Sequence, residues 1–329
     1  MNRRWVLGSM LGWAAPASTL ARAAGAPAGN RRLGVLLFDR AEGWLFLAPD
    51  LRVALAELGW VEGTNLSVDW RFADGDASRL PVLAAQLVQS GVDAVLTRGT
   101  PATRALQRAT TTIPIVTGVG DPLGGGFARS HAQPGSNITG VSYAMVETNR
   151  KQVELLRGMV PGLARLVVVL PADRASFAQE ITVSILAAAA TFGLACETVL
   201  VAGIDDLPAA LRPDRGPGVG AARILGFGTA IDPKAIARVA LSNRVPTVFD
   251  DAEYVDAGGL MSFRLYWENQ TQTQRTAAQL DQVFRGVRPG QIPFELPTRS
   301  EFVVNRATAK ALGIVVPPAI LLRADRVVE

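Results

Sequence analysis

The run Arg32-Leu33-Gly34-Val35-Leu36-Leu37-Phe38-Asp39-Arg40 is one half of an echo, because Arg165-Leu166-Val167-Val168-Val169-Leu170-Pro171-Ala172-Asp173-Arg174 repeats its pattern. Each copy reads as an apolar strand ending in Asp-Arg, followed by a helical stretch closed by Gly59 or Gly193. The repeat continues downstream. Val95-Leu96-Thr97-Arg98-Gly99-Thr100 leads through a helix to Ile113-Pro114-Ile115-Val116 and Asp121. Ile224-Leu225-Gly226-Phe227-Gly228-Thr229 leads likewise to Val245-Pro246-Thr247-Val248 and Asp250. Two βαβαβ halves, α/β in class, would each carry polar residues at strand C-termini, where open parallel sheets bind ligands. Two such halves facing one another enclose a cleft.

Outward from these strands, helix and strand patterns alternate. Leu47, Leu51, Leu55 and Leu58 recur at helical spacing, Leu66–Trp70 reads as a strand, Leu80, Leu83, Leu87 and Val88 mark a helix face, and Asp93–Thr97 is a third strand. Thr100-Pro101 and Asp232-Pro233 read as caps followed by proline at the first helical position. The extended, glycine-flanked stretches 137–142 and 260–263 are expected to be hinge strands between the lobes. Trp267 to Arg285 reads as a long polar helix returning to the first lobe, with Tyr266–Asn269 as an alternative start cap. The expected division is therefore 24–140 plus about 264–290 for lobe one and 141–263 for lobe two, with the lobe of 291–329 left open. At 329 residues and 49% hydrophobic content, two domains with parallel sheets buried on both faces are the natural division.

Residues 1–23 read as a secretory signal. Arg3 and Arg4 are followed by an apolar run from Trp5 to Leu20 and by Ala21-Arg22-Ala23, which predicts cleavage near Ala23 and a periplasmic, soluble mature protein. Arg3-Arg4-Trp5-Val6-Leu7 also resembles a twin-arginine signal, so the export route stays open. Removing Arg3, Arg4 and Arg22, with no acid in the segment, takes the formal charge from +4 to +1. That is too little for a nucleic-acid footprint. A lone cysteine forms no intrachain disulfide, and Cys196 reads as a strand residue, not a nucleophile.

Several motifs together carry a family resemblance. Leu58-Gly59-Trp60-Val61-Glu62-Gly63, Gly99-Thr100-Pro101-Ala102, Gly120-Asp121-Pro122, Pro134-Gly135-Ser136-Asn137-Ile138-Thr139-Gly140, Ala257-Gly258-Gly259-Leu260-Met261-Ser262 and Ala307-Thr308-Ala309-Lys310-Ala311-Leu312-Gly313 resemble the ABC-transporter substrate-binding proteins of the tryptophan/tyrosine-receptor type. The resemblance spans about residues 32–329. It implies a type I periplasmic-binding-protein fold of two Rossmann-like, doubly wound lobes, and an exported monomer that hands a small solute, an amino acid or other small carboxylate, to an ABC permease in the inner membrane. Phe263-Arg264 stands where the family often has tyrosine and glycine, and Asp173-Arg174-Ala175-Ser176 replaces its Asn-Pro-rich turn.

The residues themselves suggest how such a solute would be held. Gly99 allows close backbone approach, Thr100 offers a hydroxyl, and the helix after them offers free N–H groups to a carboxylate. Asp121 is placed to receive an ammonium group, with Asp250 and Asp251 supplying the same chemistry in the second half. Arg40, Arg98, Arg174 and Arg264 are candidate carboxylate clamps. Asp39, Asp173 and Ser176 lie at the same strand ends, and Trp44, Tyr143, Tyr254 and Phe263 are candidate pocket walls. Each has a structural alternative: Thr100 as a cap, Asp121-Pro122 as a turn, the arginines as solvated, Trp44 and Tyr254 as packing residues. A single His131, a single Cys196 and the lack of a Gly-x-Ser-x-Gly elbow argue against zinc or Ser-His chemistry, and no cofactor is expected. An exported doubly wound enzyme and a solute-binding sensor partner are the alternative functions.

Overall fold

Near-continuous apolar strands alternating with amphipathic helices assemble into two sheets. The computed structural model describes residues 29–41, 47–172, 175–212, 218–225 and 231–329, with backbone only at 47–48 and 175–180. The first half contains β1 (Arg31–Leu37), α1 (Leu47–Glu57), β2 (Leu66–Phe72), α2 (Leu80–Gln89), β3 (Ala94–Arg98), α3 (Thr100–Ala109), β4 (Ile115–Val119) and β5 (Ile138–Ser142). The second contains α4 (Met145–Met159), β6 (Leu163–Pro171), α5 (Ala175–Thr191), β7 (Ala195–Val201), α6 (Leu207–Ala210), β8 (Val219–Ile224), α7 (Pro233–Ser242), β9 (Thr247–Phe249), α8 (Ala252–Asp256) and β10 (Met261–Tyr266). The chain ends with α9 (Gln272–Phe284), β11 (Arg299–Asn305), α10 (Arg306–Ala311), α11 (Pro318–Leu321) and β12 (Arg326–Val328).

The repeat seen in the sequence is a repeat of topology. The first sheet runs β2-β1-β3-β4-β5, and the second contains the matching series β7-β6-β8-β9-β10, each pair parallel. The second sheet is then extended by β11, antiparallel to β10, and by β12. The tail therefore adds its strands to the second sheet. Helices cover both faces of each sheet, as parallel strands require. In β1, Leu33, Val35 and Leu37 pack with α1 and α9, while Leu36 packs on the opposite face with α2 and α3. The edge strands β2 and β7 are only partly buried, whereas every residue of β4 and β5 is buried.

The chain crosses between the sheets three times, after β5, after β10 and before β11. On the second pass α9 returns to the first sheet, where Trp60 Nε1 donates to Asp281 at 2.9 Å and the Trp60 ring meets Phe284 edge-on at 4.9 Å. Thr139 Oγ1 donates to the Ile292 carbonyl at 2.7 Å, holding the same returning segment against β5. Much of the family-like motif around residues 134–140 is accounted for here. Asn137 Nδ2 donates to the Ile113 carbonyl at 2.8 Å. Gly140 has φ +155°, and a Cβ there would lie 1.8 Å from the Thr117 carbonyl oxygen, so only glycine fits.

Three local expectations need correction. The stretches 137–142 and 260–263 are not free connectors: they are incorporated in or lead into β5 and β10, whose backbone groups are committed to sheet pairing. The crossings fall instead at residues 143–144, 267–271 and 296–298, and Ala144 has the left-handed φ of 47°. Strand β10 continues to Tyr266 by pairing with β11, so residues 264–266 join the second sheet, and α9 begins only at Gln272 behind a Thr271–Gln274 capping box. Finally, Thr100 is not a cap. Gly99 takes that position with φ 77° and ψ 152°, backbone angles that threonine resists, and Thr100 becomes the first helical residue. Asp232 does cap α7, accepting from the Lys234 backbone N–H at 3.0 Å.

Candidate functional site

The C-terminal ends of β1, β3 and β4 gather Asp39, Arg98, Gly99, Thr100 and Asp121, and those of β8 and β9 gather Arg223, Asp250 and Asp251. Helices α3 and α5, one from each half, lie against each other. Strand ends of this kind form the ligand crevice of open α/β sheets.

On the first sheet, Gly99 is the pivot. Its N–H donates to the Gly118 carbonyl at 2.8 Å, and its carbonyl accepts from Thr103 Oγ1 at 2.8 Å. The turn thereby fixed starts the 10-residue helix α3 without a side-chain cap, and Pro101, which has no N–H, takes the second helical position. Arg98, the last residue of β3, lies 5.3 Å over the Tyr143 ring, and the Tyr143 hydroxyl accepts from Gln272 Nε2 at 2.6 Å. Asp121, the expected ammonium receptor, has one carboxylate oxygen committed to its own turn. Its Oδ1 accepts from the backbone N–H groups of Leu123 at 3.1 Å and Gly124 at 2.8 Å, which makes it the organiser of its own turn.

On the second sheet, Asp250 follows β9 directly. Its Oδ1 accepts from Arg223 Nη2 at 2.8 Å and from Gln152 Nε2 at 3.0 Å. Arg223 Nε donates to Gln152 Oε1 at 2.8 Å, closing a three-membered network. The Arg223 and Gln152 side chains are buried, but the Asp250 side chain keeps 26% of its surface. Sequence reasoning missed Arg223 and Gln152. The available signal was a lone arginine inside Val219-Gly220-Ala221-Ala222-Arg223-Ile224, an otherwise small and apolar strand.

Several candidates are occupied elsewhere. Arg264 is not an open carboxylate clamp, because Glu301 accepts from its Nε at 2.8 Å and Asp251 pairs with its Nη1. Tyr254, 4% exposed, stacks on Phe249 at 4.9 Å within the core between α7, α8 and the sheet. Phe263 is likewise buried in the core on the other face, so neither ring walls a pocket. Asp39 is half-buried and Arg40 exposed at the end of β1. Trp44, Asp173 and Arg174 lie outside the described residues, as do the side chain of Ser176 and the signal-like segment 1–23.

A cavity of about 580 Å³ opens at the other end of the second sheet, lined by Arg165, Arg212, Arg244, Val219, Leu312 and Val315 among others. It is remote from the strand C-termini. Cys196 sits half-buried in β7, and burial, helped by the Glu197 carboxylate, pushes its thiol up to about 11, which leaves it protonated at neutral pH. Among the described residues no group of three or more His, Cys, Asp or Glu could hold a metal ion, and no helix is long and apolar enough to cross a membrane.

The sequence matches the family model of ABC transporter substrate binding proteins over residues 47–328. A curated relative, the tyrosine-binding protein of Clostridioides difficile strain R20291, is 23% identical over 277 residues, covering 79% of this chain and 74% of the relative. Among solved structures, a conserved domain protein of Vibrio cholerae is 25% identical, with TM-score 0.65, covering 91% of this chain and 99% of its own. A Streptococcus protein crystallised in complex with L-Trp is 24% identical, with TM-score 0.64 over 91% of this chain and all of its own. The ligand-free, open substrate-binding protein of Clostridium difficile aligns with TM-score 0.56 at 18% identity over 91% of this chain and 99% of its own. The two-lobed architecture is the type I periplasmic-binding fold. Members of the family bind small solutes outside the cytoplasm and deliver them to ABC permeases, a binding role and not a catalytic one. With the match extending over most of the sequence and the fold agreeing throughout, the chain belongs to the ABC transporter substrate-binding proteins.

Proposed function

We propose that this chain is an exported, monomeric receptor that closes its two lobes on a small solute, an amino acid, and presents it to an ABC permease in the inner membrane. What supports the reading is the complementary chemistry of two strand ends: the start of α3 after Gly99 on the first sheet, and the Asp250 carboxylate on the second. A helix start attracts a carboxylate, and a half-buried carboxylate with one oxygen uncommitted attracts an ammonium group. A zwitterion bridging the two would make contacts unavailable to an open protein, and so would favour closure. Thr100 adds a hydroxyl beside the first site, and Arg98 a cation.

An aromatic side chain is favoured by two relatives, the tyrosine-binding protein of Clostridioides difficile and the Streptococcus protein crystallised with L-Trp. Titration calorimetry of the mature protein with L-tyrosine, L-tryptophan and the remaining amino acids tests this, together with mass spectrometry of any solute that co-purifies. Saturable, 1:1 binding of an amino acid supports the reading. Binding confined to sugars or to uncharged solutes contradicts it, and chemical turnover of any bound solute would point to an enzyme instead.

A further inference from the structure

Arginine 223 is an odd residue to bury. It lies at 3% exposure on β8, one position before the strand end, among Gly220, Ala221, Ala222 and Ile224. A buried ion pair contributes little net stability, because desolvation of both charges offsets most of their attraction, and well-packed apolar residues do as well or better. Among the described residues Arg223 Nη1 also has no hydrogen-bond partner, so the network is not even complete as a structural device. What the network does accomplish is geometric. Arg223 Nη2 and Gln152 Nε2 both donate to one oxygen of Asp250, Oδ1, from inside the second lobe. Gln152 is itself fixed: its Nε2 also donates to the Phe263 carbonyl at 2.7 Å, and its Oε1 accepts from Arg223 Nε at 2.8 Å. The carboxylate is held on one edge by a rigid fork, while no described group bonds its other oxygen and part of its surface stays open to solvent.

We infer that Arg223 and Gln152 are positioning residues that pin Oδ1 of Asp250 so that Oδ2 faces the cleft as the acceptor for the ammonium group of the solute, which makes them determinants of selectivity for amino acids over the same acids lacking the amino group. The inference rests on the amino-acid reading above and names the part of the site that reads the ammonium. Preorganisation is the physical basis. A carboxylate already oriented and already hydrogen-bonded on its far edge loses less freedom when it accepts an ammonium N–H than one free to rotate. Arg223 contributes its fork, not only its charge, so lysine does not replace it.

The test compares L-tyrosine and L-tryptophan with their counterparts without the amino group, 3-(4-hydroxyphenyl)propionate and 3-indolepropionate, by competition calorimetry on the mature chain and on Asp250→Asn, Gln152→Met and Arg223→Lys. Thermal unfolding is recorded for every variant, and Gln152→Met, which removes no charge, carries the test if Arg223→Lys does not fold. Each variant is expected to bind the amino acids about ten- to a hundredfold more weakly, the range for a lost hydrogen bond to a charged group, while the des-amino acids bind as they do to the unaltered protein. The ratio between the two classes is what a merely structural role would not change. Equal weakening of both classes, or Gln152→Met and Arg223→Lys variants that keep the full ratio, overturns the positioning role. Loss in those two variants without loss in Asp250→Asn overturns the choice of Asp250. Failure of the unaltered protein to bind any amino acid overturns the amino-acid reading itself, and the inference with it.

Discussion

Gln272 Nε2 donates to the Tyr143 hydroxyl at 2.6 Å, so the first residue of α9, just after the second crossing of the chain, is joined to the residue at which the first crossing begins. Arg98 lies over the same ring, and the ring packs so tightly on β4 that a Cβ at Gly118 would come within 2.2 Å of the phenol oxygen. Two of the three strands of chain between the lobes are thus fastened to one point on the first sheet.

Removing either partner should loosen that point without unfolding the protein. Tyr143→Phe and Gln272→Leu are each expected to lower stability by about 0.5–1.5 kcal/mol, the usual net worth of one hydrogen bond. Because they share the bond, the double variant should cost less than the sum. Denaturant unfolding of the three variants measures this, and strict additivity would show that the two residues act independently.

Gly140 is predicted to be irreplaceable. Its φ of +155° is unfavourable for other residues, and an alanine Cβ would overlap backbone atoms of Thr117 in the neighbouring strand, where no flexible side chain can give way. Gly140→Ala should therefore cost upwards of about 4 kcal/mol, seen as loss of soluble protein or of the cooperative thermal transition. A variant that unfolds within a few degrees of the parent would contradict the tight approach of β4 and β5.

The Cys196 thiol supplies a pH signature. Its folded value of about 11 lies above the ordinary 9.0, chiefly because burial disfavours the thiolate. The unfolded chain thus loses this proton first. Any stability linked to the group is constant below about pH 9, and falls as pH rises from there toward 11. Comparing unfolding of the parent and Cys196→Ser across that range isolates the effect. At pH 8, iodoacetamide should label the native thiol more slowly than the denatured one.

Residues 1–23 carry the export reading, and N-terminal sequencing of protein from its native host should begin at Ala24 or within a few residues of it. Protein that retains Met1 in the cytoplasmic fraction would contradict it.

Much of the fold was legible because parallel sheets buried on both faces leave a strong imprint. Leu33–Leu37 and Leu166–Leu170 are continuous apolar runs, and the repeat of their surroundings marked two halves, which the structure builds as sheets with the same order over five strands. The crossings were less legible. Extended, glycine-flanked sequence looks the same whether it connects domains or pairs in a sheet, and only the partners of β5 and β10, remote in sequence, distinguish the two. The site was readable at the level of strand ends, which follow from topology, but not at the level of side chains. Asp121 and Asp250 occupy equivalent ends after similar motifs, yet one is turned onto the backbone of its own loop and the other is presented on a buried arginine. Nothing local separates them: the difference comes from Gln152 and Arg223, which lie 98 and 27 residues from Asp250. Tyr254 and Phe263 misled for the same reason, since an aromatic near a strand end fills a core as readily as it walls a cleft.

The central claim is that the two lobes close on a solute, and small-angle scattering tests it most directly. Lobes built on helix-covered parallel sheets should move as near-rigid bodies about residues 143–144, 267–271 and 296–298. The mature protein saturated with an amino acid of proven calorimetric affinity should show a smaller radius of gyration than the same sample without it. An unchanged scattering curve at saturation would contradict closure as the mechanism of this receptor.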